Sequence, residues 1–133
     1  MTPTPAEEAP EECPCGTGRA YSQCCGKFHE GQEHPASPEE LMRSRYSAFA
    51  LMKVEYLRFT WAPENVPVHL ALDPQQQWTR LRIIDAPAPT ADEGIVHYRA
   101  HYRYGQQRDF LEEISRFRRH AGHWVYVDGE ILS

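Results

Sequence analysis

No stretch of this 133-residue chain approaches the ~20 consecutive apolar residues that a membrane-spanning helix requires. No signal-peptide pattern opens it either. The first twelve residues hold four glutamates, three prolines and no apolar run. A reducing, cytoplasmic setting is the expectation from these absences. Also missing are an internal repeat, a phosphate loop, a nucleotide fingerprint and a serine–histidine–acid motif. A basic surplus is lacking as well. The formal charge is −5, with Glu7, Glu8, Glu11 and Glu12 gathered in the first twelve residues. The remainder is close to neutral, which gives no strong nucleic-acid signal. Residues 1–12 read as a disordered, solvated acidic arm.

Cysteine is absent from all but one short segment, and there it is dense. Cys13, Cys15, Cys24 and Cys25 form Cys-Pro-Cys, eight residues, then Cys-Cys. The intervening Gly16-Thr17-Gly18-Arg19-Ala20-Tyr21-Ser22-Gln23 is rich in turn residues, so both thiolate pairs can reach one point. Four soft thiolates are the ligand set of a tetrahedral zinc ion. Two disulfides would use the same cysteines, but the reducing setting argues against them. A redox dithiol would favour Cys-x-x-Cys over Cys-Pro-Cys. With all four positions filled by protein, the zinc is expected to be structural. Arg19 and Lys27 are candidates to offset the thiolate charge, and His29 and His34 are substitute ligands at most. Tyr21 and Phe28 are nearly the only apolar residues nearby, so metal binding must supply this module's stability.

The run Cys13-Pro14-Cys15-Gly16-Thr17-Gly18-Arg19-Ala20-Tyr21, closing at Cys24-Cys25-Gly26, resembles a SEC-C motif. That motif is the zinc-binding tail of the preprotein translocase motor SecA, and it recurs on many bacterial proteins. Leu41-Met42-Arg43-Ser44-Arg45-Tyr46-Ser47-Ala48-Phe49 resembles the uncharacterised YchJ-like family. So do Tyr56-Leu57, Thr60-Trp61, Ser115-Arg116-Phe117 and Trp124-Val125-Tyr126-Val127-Asp128-Gly129. The resemblance implies an α+β fold: a small zinc knob, then a cone-shaped domain like nuclear transport factor 2. In that domain about three helices pack on a curved, mainly antiparallel sheet. The expected units are residues 13–34 for the zinc module with its linker and 35–133 for the α+β domain.

Local signals fill in this outline. Ser37-Pro38-Glu39-Glu40 combines an N-cap, a first-turn proline and a capping box, predicting a helix from 38 to about 53. Its expected buried stripe is Leu41, Met42, Tyr46, Phe49 and Ala50. A second helix is predicted over 54–61. Asp73-Pro74 predicts a short third one through Trp78. Strands follow at 81–86, 94–104, 108–119 and 123–128. Gly105-Gln106 is a candidate two-residue hairpin, which sets Tyr98 across from Glu113 and Val96 across from Ser115. A second turn at 120–122 is expected to set Arg118 across from His123 and Glu113 across from Asp128.

On that register one face carries Val96, Tyr98, Ala100, Leu111, Glu113, Ser115, Phe117, Trp124, Tyr126 and Asp128, and should pack under the helices. The other face carries His97, Arg99, His101, Glu112, Ile114, Arg116, Val125 and Val127. Arg99 should pair with Glu112. Phe110, Ile114, Val125 and Val127 are too apolar to leave in water, so another surface, such as a second copy, is expected over part of this face. Glu113 and Asp128 would be carboxylates among aromatics, needing Arg43 or Arg45 as partner. Arg43, Arg45, Tyr98, Glu113, Ser115, Tyr126 and Asp128 are thus the candidates for a pocket or a buried polar network. His97 and His101 lack a third metal ligand beyond Glu112. Arg116, Arg118, Arg119, His120 and His123 make a solvated turn or a local anion or RNA contact.

Two function classes remain. The first is an adaptor whose zinc knob docks a protein partner or the ribosome. The second is a small-ligand binder or enzyme using the domain's cavity, with Glu113 or Asp128 as base. The adaptor reading is preferred. A roomy pocket beside Tyr98, Glu113 and Tyr126 favours the second; a filled interior and an exposed zinc knob favour the first.

Overall fold

The structure, a computed structural model, describes residues 11–132. The predicted disordered arm lies outside the described residues up to residue 10. Its end is ordered: Glu12 bridges Ala20, and the Tyr21 N–H donates to the Glu11 carbonyl at 3.0 Å.

Three helices are present among the described residues: α1 (Cys25–His29), α2 (Pro38–Leu51) and α3 (Val54–Phe59). The start of α2 follows its sequence signals. Ser37 Oγ accepts from the Glu40 N–H at 3.1 Å, and Glu40 Oε1 accepts in return from the Ala36 N–H at 2.9 Å. Met52 ends the helix in a left-handed conformation, φ 63°. The buried side of α2 is wider than the apolar stripe. Leu41, Met42 and Tyr46 are buried, but so are Ser44, Arg45 and Ser47, while Phe49 and Ala50 are half-buried. The polar side is buried because both the cysteine module and α3 pack beside it.

Four antiparallel strands form a meander: β1 (Gln76–Asp85), β2 (Glu93–Tyr104), β3 (Gln107–His120) and β4 (His123–Ile131). The predicted third helix does not form. Asp73 Oδ1 accepts from the Gln75 N–H at 2.9 Å and makes a turn, and β1 begins at Gln76. The β2–β3 register matches the prediction throughout, including Tyr98 across from Glu113 and Val96 across from Ser115. Arg99 meets Glu112 at 2.9 Å, as expected.

The β3–β4 register does not match. Ala121 (φ 52°) and Gly122 (φ 88°) make a two-residue turn, so His120, not Arg118, faces His123. Two left-handed residues suit a tight hairpin because their twist matches that of the strands. The slip is two residues, so Phe117, Trp124 and Tyr126 keep their predicted face. A bulge then shifts the pairing between Arg116 and Phe117, and every residue of β4 beyond it changes face. Asp128 moves to the outer face and bonds Arg116 at 2.6 Å. It is not a neighbour of Glu113.

The outer face is partly covered by the chain itself. Val125 is fully buried, while Phe110, Ile114 and Val127 are half-buried. The Arg99 guanidinium lies 4.8 Å above the Phe110 ring.

His123 stacks on Phe59 at 4.7 Å and on His34 at 5.1 Å, and its Nε2 has no hydrogen-bond partner among the described residues. Burial, then the nearby His34 and His120, pull its pKa below the ordinary imidazole value. The unfolded chain therefore takes up this proton at higher pH than the folded one. The stabilisation is fully present above pH ~6.5 and is lost as pH falls below it. The decline in thermal midpoint from pH 7.5 to 5.5 is expected to be smaller in His123→Phe than in the wild type, measured by calorimetry in matched buffers. An equal decline would assign the acid sensitivity to other groups, such as the thiols or half-buried His29.

Candidate metal centre and interior cavity

The cysteines are brought together by local backbone pairing. The Cys13 N–H donates to the Arg19 carbonyl at 2.9 Å, folding residues 12–20 into a small loop that turns at Gly16 (φ 91°) and Gly18 (φ 84°). A 3-10 turn at Tyr21–Gln23 then leads into α1, which begins at Cys25. Gly26 has no room for a side chain: a Cβ there would stand 2.7 Å from the Tyr21 carbonyl oxygen.

All four Sγ atoms lie within 4.8 Å of one another, and all four residues are buried. They are free thiols. Cys15 and Cys24 approach to 3.6 Å. Four ligands about 2.3 Å from one tetrahedral ion stand ~3.8 Å apart. The cluster therefore fits a soft metal ion with only small adjustments. Mutual hydrogen bonding shifts the thiols in opposite directions. Cys13, bonded by Cys15 and Cys25, is pulled far below the usual thiol range. Cys15 is raised chiefly by the Cys13 contact, and Cys25 by Cys13, Cys15 and burial.

The module is not a protruding knob. Its cysteines share one hydrophobic cluster with Leu41, Met42, Tyr46 and Trp124. Three polar contacts fasten it to α2: Cys13 Sγ to Ser47 Oγ at 3.6 Å, Arg43 to the Cys15 carbonyl at 3.0 Å, and His29 Nε2 to the Ser44 carbonyl at 2.8 Å. His29 Nδ1 receives the Tyr21 hydroxyl at 2.6 Å. His29 is therefore a structural bridge rather than a ligand or a solvated bystander. Burial lowers its pKa, as suits a neutral ring. Arg19 reaches Cys24 Sγ at 4.0 Å, within the expected neighbourhood, whereas Lys27 turns away to Glu33.

A second feature lies between α2 and the inner face of the sheet. A cavity of about 160 Å³ is walled mainly by aromatic and aliphatic side chains, among them Tyr46, Trp61, Trp78 and Leu111. One end is polar. Tyr98 Oη donates to Glu113 Oε1 at 2.6 Å, and Tyr126 Oη donates to Glu113 Oε2 at 2.7 Å. Burial first, and Glu113 next, raise both phenols above the usual tyrosine range. They therefore stay protonated donors. Ser115 Oγ is buried there with no hydrogen-bond partner among the described residues. Arg45 completes the end, donating to the Leu57 carbonyl at 3.0 Å and Thr60 Oγ1 at 2.8 Å. Its guanidinium lies 4.8 Å from both the Trp61 and Tyr126 rings. Burial lowers its pKa to about 10, so it stays charged at neutral pH.

Of the seven pocket candidates, Arg45, Tyr98, Glu113, Ser115 and Tyr126 meet at this cavity. Arg43 instead joins Glu39 to the cysteine module, and Asp128 lies on the opposite face. Neither arginine bonds Glu113; the two phenols do. Gly129 was not anticipated. A Cβ there would fall 1.7 Å from Glu113 Oε2, so only glycine leaves room for this carboxylate. Gly129→Ala is expected to lower stability by about 1–3 kcal/mol by prising Glu113 from its phenols. In chemical denaturation a Glu113→Ala background should restore most of the loss. A loss of equal size in both backgrounds would locate the strain in the backbone.

Fold and centre together define the class: an NTF2-like α+β domain with an amino-terminal thiolate metal motif. Residues 37–129 match the family described as YchJ, middle NTF2-like domain, and residues 10–27 match the SEC-C motif. A UPF0225 protein of Streptomyces coelicolor is 47% identical over 122 residues, covering 90% of this chain and 95% of its own. Another, from Deinococcus radiodurans, is 44% identical, covering 87% and 86%. The solution structure of a SEC-C motif containing protein from Rhodopseudomonas palustris superposes with a TM-score of 0.81 at 31% identity, covering 92% of this chain and 99% of its own. The chain belongs to the UPF0225, or YchJ-like, family.

Proposed function

We propose that the protein is a zinc-stabilised binding domain for a small, largely apolar ligand. The interior cavity, apolar in its walls and polar at the Glu113 end, is the observation that carries this reading. A cavity of about 150 Å³ accommodates a benzene-sized molecule. A ligand carrying one hydroxyl or amide N–H could donate it to Glu113 while its apolar body displaces no bound polar group. Zinc is the metal that best suits four thiolates in a closed site. Its place is structural, since four buried thiolates fill a tetrahedral ligand set with protein atoms. The reduced thiols suit the cytoplasm.

Benzyl alcohol and toluene, titrated into metal-loaded full-length protein, provide the test. Both are expected to shift the NMR signals of the Trp61 and Trp78 indoles, with benzyl alcohol binding more tightly. Glu113→Gln should weaken benzyl alcohol about 10-fold and leave toluene unchanged. Ala100→Leu should fill the space and abolish both. Indole signals unmoved by either compound would refute the reading. Elemental analysis is expected to give one zinc per chain.

A second reading, docking of a protein partner or the ribosome, has one observation in its favour. Residues 16–20, 22 and 23 of the metal module are exposed. Deleting the module would uncover the α2 core, so surface variants are the sound test. Loss of co-purifying proteins in Arg19→Glu/Gln23→Glu, with the fold and metal retained, would support docking.

A further inference from the structure

The outer face of the sheet, opposite α2, carries charges that no interior packing explains. Arg80 and Arg82 of β1, Arg99 and Arg103 of β2 and Arg108 of β3 share it by strand alternation. The register sets Arg82 directly across from Arg99, Arg103 across from Arg108, and Arg80 across from His101. Like charges facing each other on neighbouring strands destabilise a sheet. The carboxylates near these five arginines are fewer: Glu112 is bonded by His97 and Arg99, Asp85 lies across from His97, Glu130 lies across from Ile114, and Asp109 stands beside Arg108. Arg80, Arg82, Arg103 and Arg108 are exposed. Arg103 bonds the neutral Gln77 side chain and no carboxylate among the described residues.

A pair of rings sits within this field. His101 and Phe110 face each other across β2 and β3 with centroids 5.5 Å apart. The Arg99 guanidinium lies over Phe110 at 4.8 Å. Burial, then the charges of Arg80, Arg99 and Arg82, hold the His101 imidazole below its usual pKa, so it presents a neutral ring. A shallow depression is bounded by Arg80, His101, Arg103, Arg108 and Phe110, with Asp109 as the one carboxylate among its lining residues.

We propose that this face binds single-stranded nucleic acid, with phosphates on the arginines and a base against the Phe110–His101 platform. Cationic grooves with ring platforms are how proteins hold single strands without reading sequence. Charge complementarity selects this occupant over a second copy of the chain, because a two-fold contact would set arginines against arginines. The ring platform selects it over an acidic peptide, which has no flat base to stack. A duplex keeps its bases stacked on one another and out of reach. The site lies on the other side of the sheet from the cavity and does not depend on it. It also differs from the Arg116–His123 turn that the sequence brought to attention.

Fluorescence anisotropy with labelled U12, dT12, a 12-base-pair duplex and a decaglutamate peptide tests the proposal on metal-loaded, full-length protein. U12 or dT12 is expected to bind at 50 mM salt, and the better of the two identifies the preferred sugar. Neutralising four phosphates predicts a weakening of about 50-fold between 50 and 200 mM salt. Arg80→Gln/Arg82→Gln should weaken binding at least 10-fold and flatten the log–log salt slope by about 1.4. Phe110→Ala should weaken it about 5- to 50-fold with the slope unchanged. Lys27→Gln/Lys53→Gln, an equal loss of charge off the sheet, should have no effect. The proposal is overturned by no binding of either strand at 50 mM salt, or by binding indifferent to the β1 double variant. Peptide or duplex binding as tight as U12, with Phe110→Ala silent, overturns it too.

Discussion

Stripping the metal with a strong chelator is expected to lower the thermal midpoint by more than 10 °C, and Cys25→Ala is expected to do the same irreversibly. The size follows from where the centre sits. Structural zinc contributes apparent binding energies of about 10–16 kcal/mol in small modules, against a total stability of about 5–15 kcal/mol for a typical domain. The cysteines share a hydrophobic cluster with Leu41, Met42 and Trp124, and Ser47, Arg43 and His29 tie the module to α2. Without the ion the four sulfurs lose the bonds that hold them together, and the raised Cys15 and Cys25 take up protons inside that cluster. The damage should therefore spread from residues 11–34 into α2 and the sheet. Each kcal/mol is worth roughly 3–6 °C for a chain of this size, so a loss of about 4 kcal/mol already gives the stated shift. Calorimetry with a metal-sensitive dye should show ion release and unfolding in one transition. An unchanged midpoint after complete metal removal would make the module an appendage on an independent domain.

What the sequence disclosed depended on how locally each feature is encoded. The cysteine cluster is written in one short segment, and so is the helix start at Ser37. The β2–β3 hairpin was legible because Gly105 marks its tip (φ 65°) and strict alternation fixes everything beyond. Asp73-Pro74 misled because an aspartate accepting backbone N–H bonds can open a helix or close a turn. The pairing of Gln76 with Tyr104, on another strand, decides between them. The fate of Asp128 was hidden for a similar reason. A single bulge reverses which face a strand end presents, and nothing in Tyr126-Val127-Asp128 announces it. Strand alternation marks Glu113 as a buried acid, and arginines are the partners that its charge suggests. Tyr98 and Tyr126 satisfy it instead, and Gly129 supplies the space. The burial of Ser44, Arg45 and Ser47 could not be read from helix periodicity, because the module and α3 that cover them lie outside the helix.

Arg45→Ala is expected to be the most damaging substitution in the α+β domain, costing about 3–5 kcal/mol in chemical denaturation. The side chain is only 3% exposed. It bonds Leu57 and Thr60 at the end of α3 and lies against the rings of Trp61 and Tyr126. Truncation would remove these contacts and leave a void opening into the cavity. Arg45→Met keeps most of the volume but not the hydrogen bonds or the charge, and should cost about 1–3 kcal/mol. Arg45→Lys keeps the charge but loses the planar stack, because an ammonium cannot lie flat between two rings. The charge itself is tested through Glu113, the acid at the same end of the cavity, whose attraction favours the protonated guanidinium. If the two charges balance each other, Arg45→Met/Glu113→Gln should lose less stability than the sum of the single changes, by about 0.5–2 kcal/mol. Strict additivity would show that Arg45 acts through packing and its α3 bonds alone. The polar end of the cavity would then consist of Glu113, Ser115 and the two phenols, with the arginine as its wall.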